Sequence, residues 1–302
     1  MTLHSRLQRQ TVKKADALGR LLNKHTFANM LANDTVGVKP TQPVRGHLFY
    51  LGSHVRVVAA LLIREMSTRF GSKPGGYVWA FVDPAAHILF LSVIFMAISH
   101  TPALGTSFLL FFATGYIGFQ FYQAMAGYLN GALSANRALL SYPNVAPIDT
   151  IFSRYILQLG TTTVVAVFVF SAINLSLKTP LNIHWPFILE AALAASLLAL
   201  GSALANNVLF LKYPLYEKVF GIVTRPLFMV SGVFFLPDSL PHPARDVILL
   251  NPLVHVVMLF RKGFYPEYRA AGFDAGFLYS VALPLLLAGL LIFTGSRRSL
   301  RQ

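Results

Sequence analysis

Cysteine is absent from these 302 residues, which excludes a disulfide framework, thiolate catalysis and cysteine metal ligation. Charge is scarce: 12% of residues are Asp, Glu, Lys or Arg, against roughly 25% in an ordinary soluble domain. Acidic residues are the rarest, 11 against 25 Lys and Arg, and the net charge is +14. No Gly-x-x-x-x-Gly-Lys-Ser/Thr phosphate loop occurs, because Gly71-Ser72-Lys73-Pro74-Gly75-Gly76 has the wrong spacing. Nor is there an Asp-x-Asp pair, a His-Glu-x-x-His helix or a cluster of His and carboxylates, so neither a metal nor a catalytic residue is expected.

Apolar residues are plentiful, at 55% of the chain. They fall in repeated blocks joined by short polar connectors, the pattern of a helical bundle whose solvent is a bilayer. The basic residues flank these blocks instead of forming one patch, so they are read as topology signals and no nucleic-acid partner is expected.

Residues 1–46 form a basic extension, with Arg6, Arg9, Lys13, Lys14, Arg20, Lys24, Lys39 and Arg45 against Asp16 and Asp34. It lacks the apolar core of a secretory signal. Leu3, Leu7, Leu18 and Leu22 recur at loose helical spacing, so it is expected either to lie on an anionic membrane surface or to be a cytoplasmic tail. Residues 47–77 form the next unit. Between Leu48 and Phe70, Val55, Val58, Ala59, Leu62 and Met66 share one helical face, with Ser53, Arg56, Arg64 and Ser67 opposite. Arg56 and Arg64 lie too close together to bracket the ~20 apolar residues of a span, so an amphipathic helix in the interface plane is expected.

Residues 78–302 read as a six-span domain, with spans at 78–98, 108–129, 155–177, 187–211, 219–236 and 277–294. An even number places both termini on one side, and nineteen of the 25 Lys and Arg then fall on that side, which predicts cytoplasmic termini. The stretch 237–276 is the long outer connection. Within it Ile248–Phe260 is apolar but spans only ~20 Å as a helix, short of the ~30 Å hydrocarbon core, so a re-entrant or interfacial hairpin is expected.

Several residues invite opposed readings. Asp83 beside Pro84 is expected either to cap the first span or to be a functional intramembrane carboxylate. Glu190 and His87 are expected to be structural. Phe108, Phe112, Phe119 and Tyr122 share a face of the second span, suited to helix packing or to stacking on sugar rings. Arg225, next to Pro226 inside the fifth block, either snorkels to the surface or meets an anion in a cavity.

Arg64 to Pro84, reading Arg-Glu-Met-Ser-Thr-Arg-Phe-Gly-Ser-Lys-Pro-Gly-Gly-Tyr-Val-Trp-Ala-Phe-Val-Asp-Pro, resembles the entry to the first span of capsule-polysaccharide ABC exporter permeases. Asn136-Arg137-Ala138-Leu139-Leu140 with Tyr142-Pro143 and Pro147-Ile148-Asp149 resembles that family's cytoplasmic loop. Ser231-Gly232-Val233-Phe234-Phe235 with Asn251-Pro252-Leu253-Val254-His255 and Arg261 resembles its outer hairpin. The resemblance runs over about residues 48–300, and relatives of the family export O-antigen, teichoic acids and drugs.

It implies an all-α integral membrane protein of the bacterial inner membrane, a homodimer of six-span subunits moving a glycolipid-linked polysaccharide. This chain would bind no cofactor, with ATP and magnesium held by a separate cytoplasmic ATP-binding subunit. A periplasmic co-polymerase-type partner and membrane lipids complete the expected partners. Arg137, Pro143, Pro147 and Asp149 would couple to the ATPase, although the loop also reads as an ordinary connector. Arg64, Arg69, Asp83, Phe112, Phe119, Tyr122 and Arg225 are candidate contacts for substrate or headgroup, and Asn251, His255 and Arg261 belong to the outer hairpin. The competing function is a membrane-embedded transferase acting on lipid-linked sugars.

Overall fold

The computed structural model describes residues 47–71, 75–142, 145–177 and 179–296. The extension 1–46 and Pro143 lie outside the described residues. The chain divides into two compact units after Leu51, and the account below concerns the second, Gly52–Gln302. Its described secondary structure is entirely helical.

Helix α1 (His47–Phe70) precedes α2 (Gly76–Ile98) and α3 (Phe108–Asn130); a short α4 (Ala132–Ala135) and a 3-10 turn (Arg137–Ser141) lead to α5 (Pro147–Ser176). Helix α6 (Trp185–Lys212) is followed by α7 (Pro214–Thr224) and α8 (Leu227–Val230), then by a 3-10 turn (Pro237–Ser239). Helices α9 (Ala244–Leu249), α10 (Pro252–Lys262) and α11 (Ala275–Gly295) complete the chain.

Among the described residues four helices, α2, α5, α6 and α11, are long and apolar enough to cross a membrane. Helix α3 matches them in length, at 23 residues. Its tyrosines and Gln120 make it less apolar; Gln120 donates to the Tyr116 hydroxyl at 2.6 Å, and α3 is buried along most of its length. Helix α6 is the other central element. Its Ala191, Ala194, Ala195, Ala199 and Ala203 have no exposed surface, and such small side chains let neighbouring backbones approach. The tightest approach is to α11. A Cβ on Gly289 would sit 2.3 Å from the Gly201 carbonyl oxygen, and one on Gly201 would sit 2.7 Å from the Leu286 nitrogen. By contrast only 17% of the span in α2 and 22% of that in α11 is buried.

Two expectations change. The block 219–236 is not one helix: α7 ends at Thr224, α8 ends at Val230, and Pro226 sits between them. Proline has no N–H for the ladder and its ring crowds the carbonyl four residues back, which is where the helix interrupts. Asp83 caps nothing, because α2 begins at Gly76 and carries Pro84 in its interior. Helix α1 turns a narrow stripe inward. Leu61 and Glu65 face the bundle, whereas Val55 is 67% exposed.

Candidate functional site

Glu65 lies on the inward face of α1 and is only 4% exposed. A carboxylate so placed needs partners, and three elements supply them. Tyr128, near the end of α3, donates its hydroxyl to Oε2 at 2.7 Å. Asn136, after α4, donates Nδ2 to Oε1 at 2.7 Å. Arg154, in the second turn of α5, brings Nε to 3.1 Å from Oε1. Burial works to raise the Glu65 carboxyl, but the bonds from Arg154, Asn136 and Tyr128, with the Arg154 charge, outweigh it and hold the group below the ordinary carboxylate value.

The partners are themselves interlocked. Arg154 donates Nη1 to the Tyr128 carbonyl at 3.0 Å, and its guanidinium lies 4.6 Å from the Tyr128 ring centre. Arg64 donates to Asn136 Oδ1 at 2.5 Å. Arg69 donates to Gln158 Oε1 at 2.6 Å and covers the Tyr128 ring at 4.2 Å. In the first half of α1, His54 Nδ1 meets Asp149 Oδ1 at 3.0 Å. Asp149 also accepts from the Ala146 N–H at 3.0 Å, which caps α5 directly before Pro147. Helix α1 is thus fastened along its length to the end of α3, to Asn136 in the connection after it and to the first turns of α5. Among the described residues of that connection, Arg137, Ala138, Ser141 and Tyr142 are exposed, as are Ser134 and Ala135 before them.

At the other end of α3 stands Arg261, the largest side chain buried without exposure. Its guanidinium donates to the carbonyls of Gly232 at 2.7 Å, Val233 at 2.8 Å and Phe235 at 3.2 Å, and lies 4.2 Å from the Phe111 ring centre. Gly115 makes room for it, since a Cβ there would come within 2.7 Å of Nη2. Asn251 caps α10 by accepting from the Leu253 N–H at 3.0 Å and reaches Ser231 Oγ at 3.3 Å. His255 holds the Leu249 carbonyl through Nε2 at 2.8 Å and accepts the Asp274 N–H at Nδ1, 3.1 Å, so both ring nitrogens are used by the backbone. Three of the residues picked from the sequence therefore build the hairpin through bonds to its own backbone and side chains.

The aromatic face of α3 also packs inward. Phe112 is 1% and Phe119 2% exposed, stacked among Phe95, Phe228 and Phe234, and Tyr122 is 9% exposed. As substrate contacts they are corrected to core residues, because apolar rings at the centre of a bundle are covered by its own helices. His87 stacks on Tyr116 at 5.1 Å, and Glu190 accepts from Tyr279 at 3.2 Å, both structural as expected. Arg225 is exposed at the α7–α8 break, with no hydrogen bond or ion pair to another described residue.

Residues 56–265 match the ABC-2 type transporter family. The chain belongs to that family. It is accordingly a transport permease and not an enzyme, with ATP hydrolysis residing in a separate subunit. The polysialic acid transport protein KpsM of Escherichia coli is 35% identical over 239 residues, covering 78% of this chain and 92% of its own. The capsule polysaccharide export inner-membrane proteins BexB of Haemophilus influenzae and CtrC of Neisseria meningitidis are each 28% identical, over 78% of this chain and 89% of theirs.

Sequence reasoning missed Glu65, Tyr128, Arg154 and Gln158. Glu65 left one signal, a lone acid spaced three and four residues from Leu62 and Leu61 on an otherwise apolar face.

Proposed function

We propose that the chain is the permease subunit of an ATP-driven exporter that moves lipid-linked capsular polysaccharide across the inner membrane. The observation that carries this reading is its similarity, over most of its length, to three permeases whose names specify capsule or polysialic acid transport. Two copies, each with six spans and cytoplasmic termini, enclose the path; α1 lies in the interface plane and α9–α10 form the outer hairpin. The α7–α8 pair is the fifth span, broken at Pro226. ATP and magnesium act on the partner subunit, and a periplasmic co-polymerase-type protein receives the glycan.

In this reading the ATPase pushes on the turn Arg137–Ser141. The Glu65 network supports it, because α1 is bonded to Asn136 directly before that turn and to Asp149 and Arg154 in the first turns of α5 after it. A displacement of the loop therefore drags the helix at the membrane surface. Removing the chain from its native host should leave capsule polysaccharide inside the cell with synthesis intact. Unchanged surface capsule would refute the proposal. Arg137→Glu, at an exposed turn residue, should uncouple hydrolysis from export at normal protein levels.

A further inference from the structure

Beside the end of α1 the bundle opens into a cavity of about 290 Å3, walled by α1, α2, α3 and α5. That is close to the lower end of ordinary ligand pockets, about 300–1,000 Å3. Its walls carry Arg69, Trp79, Asp83, Gln120, Gln158 and Thr162. In a chain with so little charge, a positive group, a negative group, two amides and a hydroxyl converging on one hollow within a membrane-facing bundle call for a polar occupant.

The Arg69 guanidinium is held in place before anything binds. Gln158 takes one edge at 2.6 Å and is itself fixed by donating to Thr162 at 2.9 Å. The rings of Tyr128 and Phe70 lie 4.2 and 5.1 Å from its central carbon. Among the described residues no carboxylate lies within ion-pair distance of it. A fixed guanidinium with donors to spare suits the oxygen pair of a phosphate. Trp79, 60% exposed, offers a flat apolar face of the kind that stacks on a sugar ring. Asp83, one helical turn further along α2, accepts hydroxyl protons but repels a bare phosphate, so it selects for an anion carried next to a polyol.

We propose that this pocket binds the phosphate and adjoining sugar or polyol of a membrane-anchored glycan, Arg69 holding the phosphate and Trp79 and Asp83 the sugar. The proposal rests on the export reading and gives it a recognition site. It also supplies a route for regulation. Tyr128 carries Arg69 on its ring face and Glu65 on its hydroxyl, so an occupant that shifts Arg69 acts on the ring shared with the loop network.

The chain's 2 tryptophans are Trp79 and Trp185, so Trp185→Phe, combined with an ATP-binding subunit and disc scaffold freed of tryptophan, leaves the pocket indole as the sole reporter. The full chain with its ATP-binding subunit, in phosphatidylcholine nanodiscs, would be titrated with glucose 1-phosphate, glucose and inorganic phosphate, and studied separately in discs doped with phosphatidylglycerol. A saturable change in Trp79 emission is expected with glucose 1-phosphate or with phosphatidylglycerol, at least tenfold weaker with glucose or phosphate alone. The first outcome assigns the phosphate to the saccharide and the second to a lipid headgroup. Arg69→Gln should weaken the response at least tenfold in a complex that remains folded and assembled.

Asp83→Asn, at an exposed residue outside the loop network, should weaken glucose 1-phosphate and tighten inorganic phosphate, a pair of opposite effects that misfolding does not produce. No saturable response to either ligand, or an equal response in Arg69→Gln, overturns the site. If Trp79 stays silent while the Trp185→Phe chain still exports capsule, the pocket falls and the export reading stands.

Discussion

The Tyr128 hydroxyl donates to the Glu65 carboxylate at 2.7 Å, joining the end of α3 to the helix that precedes every span. Some 25 Å away along α3, by the 1.5 Å rise of an α-helix, Phe111 lies under Arg261. The same helix therefore carries a polar anchor at each end, one fixing α1 and one fixing the hairpin.

Glu65→Gln keeps two neutral hydrogen bonds but leaves the buried Arg154 without a counter-charge. Losing one member of a buried pair is expected to lower stability by about 3 kcal/mol or more. Thermal unfolding of the purified permease checks this, and a double cycle with Arg154→Met should show strong coupling. The pH dependence has a definite sign. A carboxyl held below its unfolded value contributes stability that is present above that value, about 4.3, and is lost as pH falls through the folded one. Wild type should therefore lose stability on acidification more steeply than Glu65→Gln.

Arg261→Lys should open the outer hairpin. A lysine keeps the charge but cannot serve the carbonyls of Gly232, Val233 and Phe235 together, and each buried carbonyl left bare costs about 1–3 kcal/mol. Faster limited proteolysis within 237–251, with the spans still inserted, is the expected reading. Wild-type resistance would remove the clamp role.

Arg225, exposed at the α7–α8 break, separates snorkelling from cargo contact by the chemistry of its replacement. If it grips an anion through its planar fork, Arg225→Lys should transport poorly and Arg225→Gln worse, with dimerisation and basal ATP hydrolysis retained. Wild-type export from Arg225→Gln would end that role.

Topology can be mapped without background labelling because the chain has no cysteine. Ser141 and Ser239 are both exposed. Ser141→Cys should label only from the cytoplasm and Ser239→Cys only from outside. Labelling of both from one face would contradict the six-span arrangement.

Composition alone decided that this chain is helical and lives in a membrane, because long apolar blocks with few charges leave few other solutions. The order of Arg64–Pro84, Asn136–Asp149 and Asn251–Arg261 was enough to indicate the family. Residue roles were another matter. The sequence places Arg261 only in the outer hairpin, and the structure buries it completely against three backbone carbonyls. Phe112 and Phe119 looked able to stack on sugars, and neighbouring helices cover them. Glu65 drew no notice, yet it joins α1, α3, Asn136 and α5. Periodicity reports which face of a helix is apolar, since that depends on neighbours within a turn or two. Whether a charge on that face meets an opposite charge depends on residues 63 to 89 positions away, and only the packing of the helices brings those together.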